Sequence, residues 1–370
     1  MQQARALAGA LTPAALSRLG SPAVTGFAAT TLAWLLEHEA DVMAQACYVL
    51  QPKDWLRAAL GGGLATDPSD ASGTLLFDVV SGGWSDAAKS WLGLDPSLLP
   101  EVRPSTDQVG AVRLPGSAEE IACVVGGADT ACALAGLGLG AGEGFVAVGS
   151  GAQVVRVMAT PHLDETLRTH TFATAGAPGA GWYRIGAVQS SGLSLTAALS
   201  WFGATIDEAA AALGQGVAAD DPVFVPYLSG ERTPFMDPTM RGSWHGLTLS
   251  TGRPAMLRSV LEGVAQAVAL GVEAVQAAGD PLPDVVPLVG GGTHDPAFRQ
   301  LLADASGLRL AVTDAPDSAV VGAALLAAGR TAHPRPAART LVVQPRPAAV
   351  SLLRGRREMM VRLASSREGS

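Results

Sequence analysis

The sequence predicts an α/β fold organised as two domains. Strands and helices alternate through the second half of the chain, which is the pattern of an α/β domain. Two apolar runs there end in consecutive glycines and a third pair of runs forms a glycine-tipped hairpin, so several bends are placed to gather around an anion. The chain has 370 residues, 48% of them hydrophobic and 16% charged. That length is long for one core, and that composition supplies two cores and leaves little case for disorder.

Residues 27–46, FAATTLAWLLEHEADVMAQA, place Leu32, Leu35, Leu36, Val42, Met43 and Ala46 at helical spacing, with Thr30 or Thr31 as the expected cap. Residues 61–78 open with a glycine run and continue as TDPSDASGTLLFD, turn-rich and then strand-like. From Trp84, WSDAAKSWLGLDPSLLP reads as a short helix and a proline-terminated loop. The polar, Pro/Gly-punctuated stretch 101–116 is the expected boundary. It divides the chain into a first domain over 1–116, a second over 117–346 and a basic tail over 347–370, the tail read as a frayed helix.

Past that boundary IACVV (121–125) has the pattern of a buried strand running into GGADTA and an Ala-rich helix. FVAVG (145–149) and QVVRVMA (153–159) are β-branched runs separated by Ser150, Gly151 and Ala152, a hairpin signal. Over 256–278 Leu257, Val260, Leu261, Val264, Val268, Val272 and Val275 form one stripe, and Gly279 suits the C-terminal cap. VVPLV (285–289) meets three glycines, then the helix DPAFRQLLADASG, the strand LRLAVTD and the helix DSAVVGAALLAAG (317–329).

Composition excludes several classes. The net charge of -8 argues against a nucleic-acid binder, which carries a basic face. Cys47, Cys123 and Cys132 are odd in number and lack zinc spacing, so they read as small buried or half-buried hydrophobes in a reducing cytosol, with no metal ligands assigned. No run of about 18 apolar residues appears, which predicts no membrane span. The apolar part of the N-terminus is short and stops at Pro13, unlike a signal peptide.

Three glycine bends carry the chemistry. In GGADTA (126–131) Asp129 stands at the start of a helix, where the dipole steadies a carboxylate that could take a proton from a hydroxyl; a plain helix cap is the alternative. In VGSGAQ (148–153) a glycine tip exposes amides and the Ser150 hydroxyl to a phosphate, although glycine is also ordinary in hairpin turns. In VGGGTHDPAFRQ (289–300) Gly290, Gly291 and Gly292 allow close approach of a flat or anionic ligand. The spacing is neither a dinucleotide fingerprint nor a P-loop. His294 reads as a surface or packing residue. The stretch 226–249, with Glu231, Arg232, Asp237 and Arg241, reads as a loop ordered by its own salt bridges.

Taken in order, these motifs resemble the FGGY carbohydrate kinase family. PYLSGERTPFMDPTMRG with GLTLS and RSVLEGVAQAV is similar to its C-terminal signature. GGADTA resembles its Gly-Gly-Gly-Asp-Asn-Ala segment, VGSGAQVV its Leu-Gly-Thr-Ser phosphate hairpin, and VGGGTHDPAFRQLLADASGL with DSAVVGAALLAAG its adenosine-binding region. SPAVTGFAATTLAWLLEHE, LQPKDWLRAALGG and TDPSDASGTLLFDV resemble the first domain of xylulokinases. The match runs from about residue 20 to residue 345.

The resemblance implies an RNase H-like, actin-like ATPase fold of two domains with an inter-domain cleft, and ATP-dependent phosphorylation of a sugar, D-xylulose to D-xylulose 5-phosphate. Asp129 would be the general base, with Thr130 beside it at the sugar. Gly149, Ser150 and Gly151 would face the phosphates, and Gly290, Gly291 and Gly292 would line the adenosine. ATP and Mg²⁺ are the implied cofactors and a small-molecule sugar the partner, in the cytoplasm, with a homodimer left open. The family's opening Asp-Leu-Gly-Thr hairpin and its Met-His sugar contact have no counterpart here, so the first domain is expected to be incomplete. Thr130 stands where the family has Asn, Ser150-Gly151 where it has Thr-Ser, and Thr31 where many members have Lys. A remnant that binds nucleotide or sugar without turnover, and a kinase for ribulose, glycerol or gluconate, are the alternatives.

Overall fold

The computed structural model describes residues 1–214, 216–315, 317–331 and 341–365. The elements used below are helices α1 (Ala28–His38), α2 (Pro52–Ala59) and α3 (Pro68–Ser72), then strands β1 (Gln108–Arg113) and β2 (Glu120–Val124) and helix α4 (Asp129–Leu137). Strands β3 (Gly144–Val148), β4 (Ala152–Met158), β5 (His170–Ala173) and β6 (Trp182–Val188) follow, then helices α5 (Gly192–Trp201), α6 (Ile206–Leu213) and α7 (Arg253–Ala277). The chain closes with β7 (Val285–Val289), α8 (Pro296–Ser306), β8 (Arg309–Val312), α9 (Ser318–Ala327), β9 (Leu341–Val343) and α10 (Pro347–Ser365).

The chain forms two compact units. One comprises Met1–Gly142, Val157–Arg184 and Pro316–Ala337, and the other Glu143–Arg156, Ile185–Ala315 and Ala338–Ser370. Residues 116 and 117 both fall within the first of these units. The stretch read as a boundary contains β1, which pairs antiparallel with β2 from Arg113↔Glu120 to Gln108↔Val124. Its prolines and glycines punctuate a hairpin within the first unit. β2, expected as a buried strand, has exposed residues along most of its length.

In the first unit Leu7, Leu16, Leu19, Leu32, Leu75, Leu76 and Leu94 make one core. Phe27 holds the N-cap position of α1, and the expected caps Thr30 and Thr31 sit in its first turn with hydroxyls donated to the Phe27 carbonyl. Helices α4 and α9 pack at glycine-limited distance. A Cβ at Gly322 would fall on the Cys132 carbonyl, and one at Gly136 on the Ser318 carbonyl.

In the second unit β7 lies between β3 and β8 and is parallel to both, with Leu288 paired to Val146 and to Val312. β4 pairs antiparallel with β3, and β9 antiparallel with β8. Within this unit the strand order is β9-β8-β7-β3-β4-β6, with β6 contributing Ile185–Val188. Helix α7 is the core helix: Leu257, Val260, Leu261, Val264, Val268, Val272 and Val275 are all buried. Each contributes roughly 1.5–3 kcal/mol by leaving water. By length and composition α7 could cross a bilayer, but 89% of its apolar window is buried inside the protein.

Over 347–365 the tail is a helix with a buried face rather than a frayed one. On α10, Leu353, Arg356, Arg357 and Met360 are buried. Arg356 meets Glu262 of α7 through two 2.6 Å contacts and donates to the carbonyls of Ala219, Asp221 and Pro222. Burial pushes the Glu262 carboxyl up, and Arg356 opposes it. The two charges are solvated by each other, which composition alone could not show. The loop 226–249 also departs from expectation: the Glu231 carboxylate accepts the amides of Gln189, Ser190 and Arg232 at 2.6, 3.1 and 2.7 Å instead of pairing with an arginine.

Because a methyl group at residue 322 has no room, Gly322→Ala is expected to lower chemical-denaturation stability by about 1–3 kcal/mol, the cost of overpacking. Gly9→Ala, in a helix with nothing near the new Cβ, serves as the control and loses no stability.

Candidate active site

The second unit holds a cleft of about 900 Å³ whose walls include Gly149, Ser150, Gly291 and Gly292. Two features of the sheet create it. The bends after β3 and after β7 leave the carboxyl ends of two adjacent parallel strands, the place where open α/β sheets bind ligands. Between those bends the backbones nearly touch: Gly290 has φ +101°, and a Cβ there would lie 2.5 Å from the Val148 carbonyl. At Gly292 a Cβ would be 3.0 Å from the same oxygen, whereas Gly291 faces open space.

The hairpin tip Gly149–Gly151 is exposed and is fastened to the start of α5. The amides of Gly192 and Leu193 donate to the carbonyls of Gly149 and Ser150 at 3.0 and 2.9 Å. Residue 192 must be glycine, since a Cβ would fall on the Gly149 carbonyl. Helix α8 enters the opposite wall with Asp295 as its cap, accepting the Phe298 amide at 2.8 Å, and Thr293 donates its hydroxyl to the Gly290 carbonyl at 2.7 Å.

Of the residues singled out for a nucleotide, Gly149, Ser150, Gly291 and Gly292 thus line one cleft. Gly151 and Gly290 are not among its lining residues; they are pressed against the Val188 and Val148 carbonyls and serve the close backbone approach. His294, read as a surface or packing residue, lines the cleft. Sequence reasoning missed the α5 wall, Leu193, Thr196 and Ser200, with Ile206 and Asp207 at the head of α6. Thr196 and Ser200 stand four residues apart on one helix face, a signal that becomes legible only once the hairpin is docked on that helix.

Asp129 and Thr130 lie in the first unit. Asp129 is the first residue of α4 and is exposed, while Thr130 is buried. The Thr130 amide donates to Asp129 Oδ1 at 2.5 Å and its hydroxyl to the same oxygen at 3.2 Å. The chain reaches this point through Gly126, at φ +82°, with Lys53 Cδ 3.8 Å from where its Cβ would be. Thr130 thus donates twice to the carboxylate of its neighbour, and Ala128 holds the N-cap position of α4 with no side-chain cap.

Beneath the bend lies a charge cluster that sequence reasoning did not single out. Lys53 of α2 meets Asp54, Asp67 and Asp70 at 2.7, 3.1 and 3.2 Å. Arg57 meets Asp54 at 3.0 Å and the Val125 carbonyl at 2.6 Å. Asp54 and Asp67 are fully buried. Burial pulls the Lys53 ammonium down, but Asp67, Asp70 and Asp54 together hold it above its ordinary range. Burial raises Asp70 to about 6 against the pull of Lys53, with Asp67 and Asp54 adding to the rise. Burial likewise pushes the Cys132 thiol up to about 11, which leaves it inert as a nucleophile.

The comparisons with known proteins fall on these same segments. The model for the C-terminal domain of the FGGY family of carbohydrate kinases matches residues 146–330, and the model for its N-terminal domain matches residues 8–136. The chain belongs to the FGGY family of carbohydrate kinases. It is 34% identical over 299 residues to a xylulose kinase of Escherichia coli (strain K12), covering 79% of this chain and 61% of that protein. It is 35% identical over 322 residues to a xylulose kinase of Klebsiella pneumoniae, covering 85% and 65% respectively. This FGGY chain thus spans less than two thirds of the length of those relatives. Among solved structures, a xyloylose kinase from Brucella ovis superposes with a TM-score of 0.87 at 28% identity, covering 99% of this chain and 78% of that one. The fold is the two-domain, actin-like fold of the FGGY kinases.

The raised Asp70 makes a pH-dependent prediction. Its folded form holds a proton more tightly than the unfolded chain, so ionisation between pH 4 and 6 costs stability, and the cost persists above pH 6. Asp70→Asn removes one of the three carboxylates and leaves Lys53 and Arg57 facing Asp54 and Asp67. Relative to the unsubstituted chain, the variant is expected to gain thermal stability as pH rises from 4 to 6 and to keep that gain at pH 7–8, as measured by melting curves at each pH.

Proposed function

We propose that the chain is an ATP-dependent sugar kinase acting on a ketopentose, D-xylulose in the first instance. The observation that carries this reading is Asp129, a carboxylate exposed at the first turn of α4 and steadied on one oxygen by Thr130, in a chain that belongs to a carbohydrate kinase family. In this reading Asp129 takes the proton of the acceptor hydroxyl through Oδ2, the oxygen Thr130 leaves unused. The hydroxyl oxygen forms the new P–O bond, and the bond between the γ-phosphorus and the bridging oxygen of ATP breaks to release ADP. The products are ADP and a sugar phosphate, D-xylulose 5-phosphate for the first-choice acceptor.

The 900 Å³ cleft of the second unit has the size and the wall chemistry for the nucleotide. The exposed tip offers the Ser150 hydroxyl to phosphate, and the flat glycine surface of Gly291 and Gly292, with Leu193, Leu195 and Leu199 of α5, suits the adenosine. Among the described residues no three His, Cys, Asp or Glu side chains gather as a metal site. Mg²⁺ therefore enters this reading as part of the substrate MgATP, held by the phosphates and water. The relatives named above as xylulose kinases support the choice of D-xylulose.

The test is ADP release by the purified 370-residue chain with MgATP and each of D-xylulose, D-ribulose, glycerol and gluconate. D-Xylulose-dependent turnover is expected, reduced at least 100-fold in Asp129→Asn with nucleotide affinity unchanged. A preference for another acceptor changes the sugar and keeps the kinase. Nucleotide binding without turnover on any acceptor, or equal rates in Asp129→Asn, overturns the reading.

A further inference from the structure

The bend that presents Asp129 is anchored by a relay of buried polar groups. The amide of Ala128, the residue before Asp129, donates to Ser69 Oγ at 2.9 Å. Ser69 Oγ in turn donates to Asp67 Oδ2 at 2.5 Å. Ser105 Oγ donates to the same oxygen at 3.0 Å and accepts the Gly176 amide at 2.9 Å. Asp67 also accepts the amides of Ser69 and Asp70, at 3.0 and 3.3 Å, and meets Lys53 at 3.1 Å. Asp67, Ser69 and Ser105 are each nine-tenths or more buried.

The stoichiometry of this relay is tight. A carboxylate accepts and cannot donate, so the Ser69 hydroxyl must spend its one proton on Asp67. That leaves the Ser69 oxygen free to accept, and the acceptor position is filled by the Ala128 amide. The direction of both bonds is therefore set by the acceptor-only carboxylate of Asp67, which receives four hydroxyl or amide hydrogen bonds and the Lys53 ammonium. A neutral amide at 67 could turn its NH₂ toward Ser69, and the hydroxyl would lose its forced orientation. The anchor also lies one residue upstream of the carboxylate, where displacement of the backbone by an ångström moves the reacting oxygen by as much. Misplacement on that scale costs roughly 100-fold in rate.

We propose that Ser69, oriented by buried Asp67, is a positioning residue for Asp129: it fixes the Ala128–Asp129 peptide and thereby the place of the base relative to the acceptor hydroxyl. This rests on Asp129 being the base, and the experiment separates the two claims.

The variants are Ser69→Ala, which deletes the acceptor for the Ala128 amide, and Ser69→Thr, which keeps the hydroxyl. The full chain is assayed for kcat and KM with MgATP and D-xylulose, and for amide hydrogen exchange at Ala128. Ser69→Ala is expected to lower kcat 10- to 100-fold with the KM for MgATP unchanged, and to speed exchange of the Ala128 amide at least tenfold. Ser69→Thr is expected to stay within about threefold of the unsubstituted chain in both. Unchanged exchange at Ala128 in Ser69→Ala overturns the anchoring, with or without turnover. Faster exchange with unchanged kcat overturns the positioning role. Equal losses in Ser69→Ala and Ser69→Thr also overturn it, by showing a packing effect alone. If Asp129→Asn turns over like the unsubstituted chain while Ser69→Ala exchanges faster, the base assignment has failed and the anchor stands as structure.

Discussion

The cleft of the second unit depends on one steric constraint, the approach of the bend after β7 to the Val148 carbonyl at the end of β3. A Cβ at residue 290 would come within 2.5 Å of that oxygen, and residue 290 also has φ +101°, so glycine is required twice over. Only with the two backbones this close do the ends of parallel strands β3 and β7 form a single rim. The 900 Å³ cleft opens on that rim. Gly192 imposes the same kind of constraint one step further on, letting the hairpin tip seat on α5. The glycines divide into those that permit backbone contact, Gly290, Gly192 and Gly151, and those that leave surface open to a ligand, Gly149 and Gly291.

The first unit leaves the Asp129 carboxylate exposed, with hydrogen bonds to the residues on either side of it. Thr130 fixes one oxygen from in front, and Ser69 fixes the peptide from behind. Lys53 sits beside the bend and neutralises part of a cluster that would otherwise hold three carboxylates in a dry space. Burial of such a cluster is costly unless every oxygen finds a donor. Asp67 finds five, from Ser69, Asp70, Ser105 and Lys53. Asp70 carries the residual repulsion and holds its proton up to about pH 6.

In the second unit the same rule secures the terminal helix. Arg356 and Arg357 on α10 enter the core because Glu262, Glu273 and several carbonyls meet their donors. Counted as sequence, those arginines look like a solvated basic tail. They read that way because a charge run carries no label saying whether its partner is water or a buried carboxylate more than eighty residues away.

Local order was determined by the sequence itself. The period of α7, the β3–β4 hairpin, the strand–glycine–helix passage into α8 and the cap at Asp295 follow from side-chain spacing and turn chemistry within a few residues. The family resemblance followed from the same segments taken in order. What tertiary structure alone decided is which polar groups meet across long stretches of chain. The 101–116 stretch turned out to hold a hairpin strand because β2 is there to pair with it, and Glu231 is satisfied by amides some forty residues upstream. The Asp67–Ser69–Ala128 relay joins residues nearly sixty positions apart. A hydrogen bond depends on distance and direction in space, and neither quantity is encoded by the identity of a residue or by its neighbours along the chain.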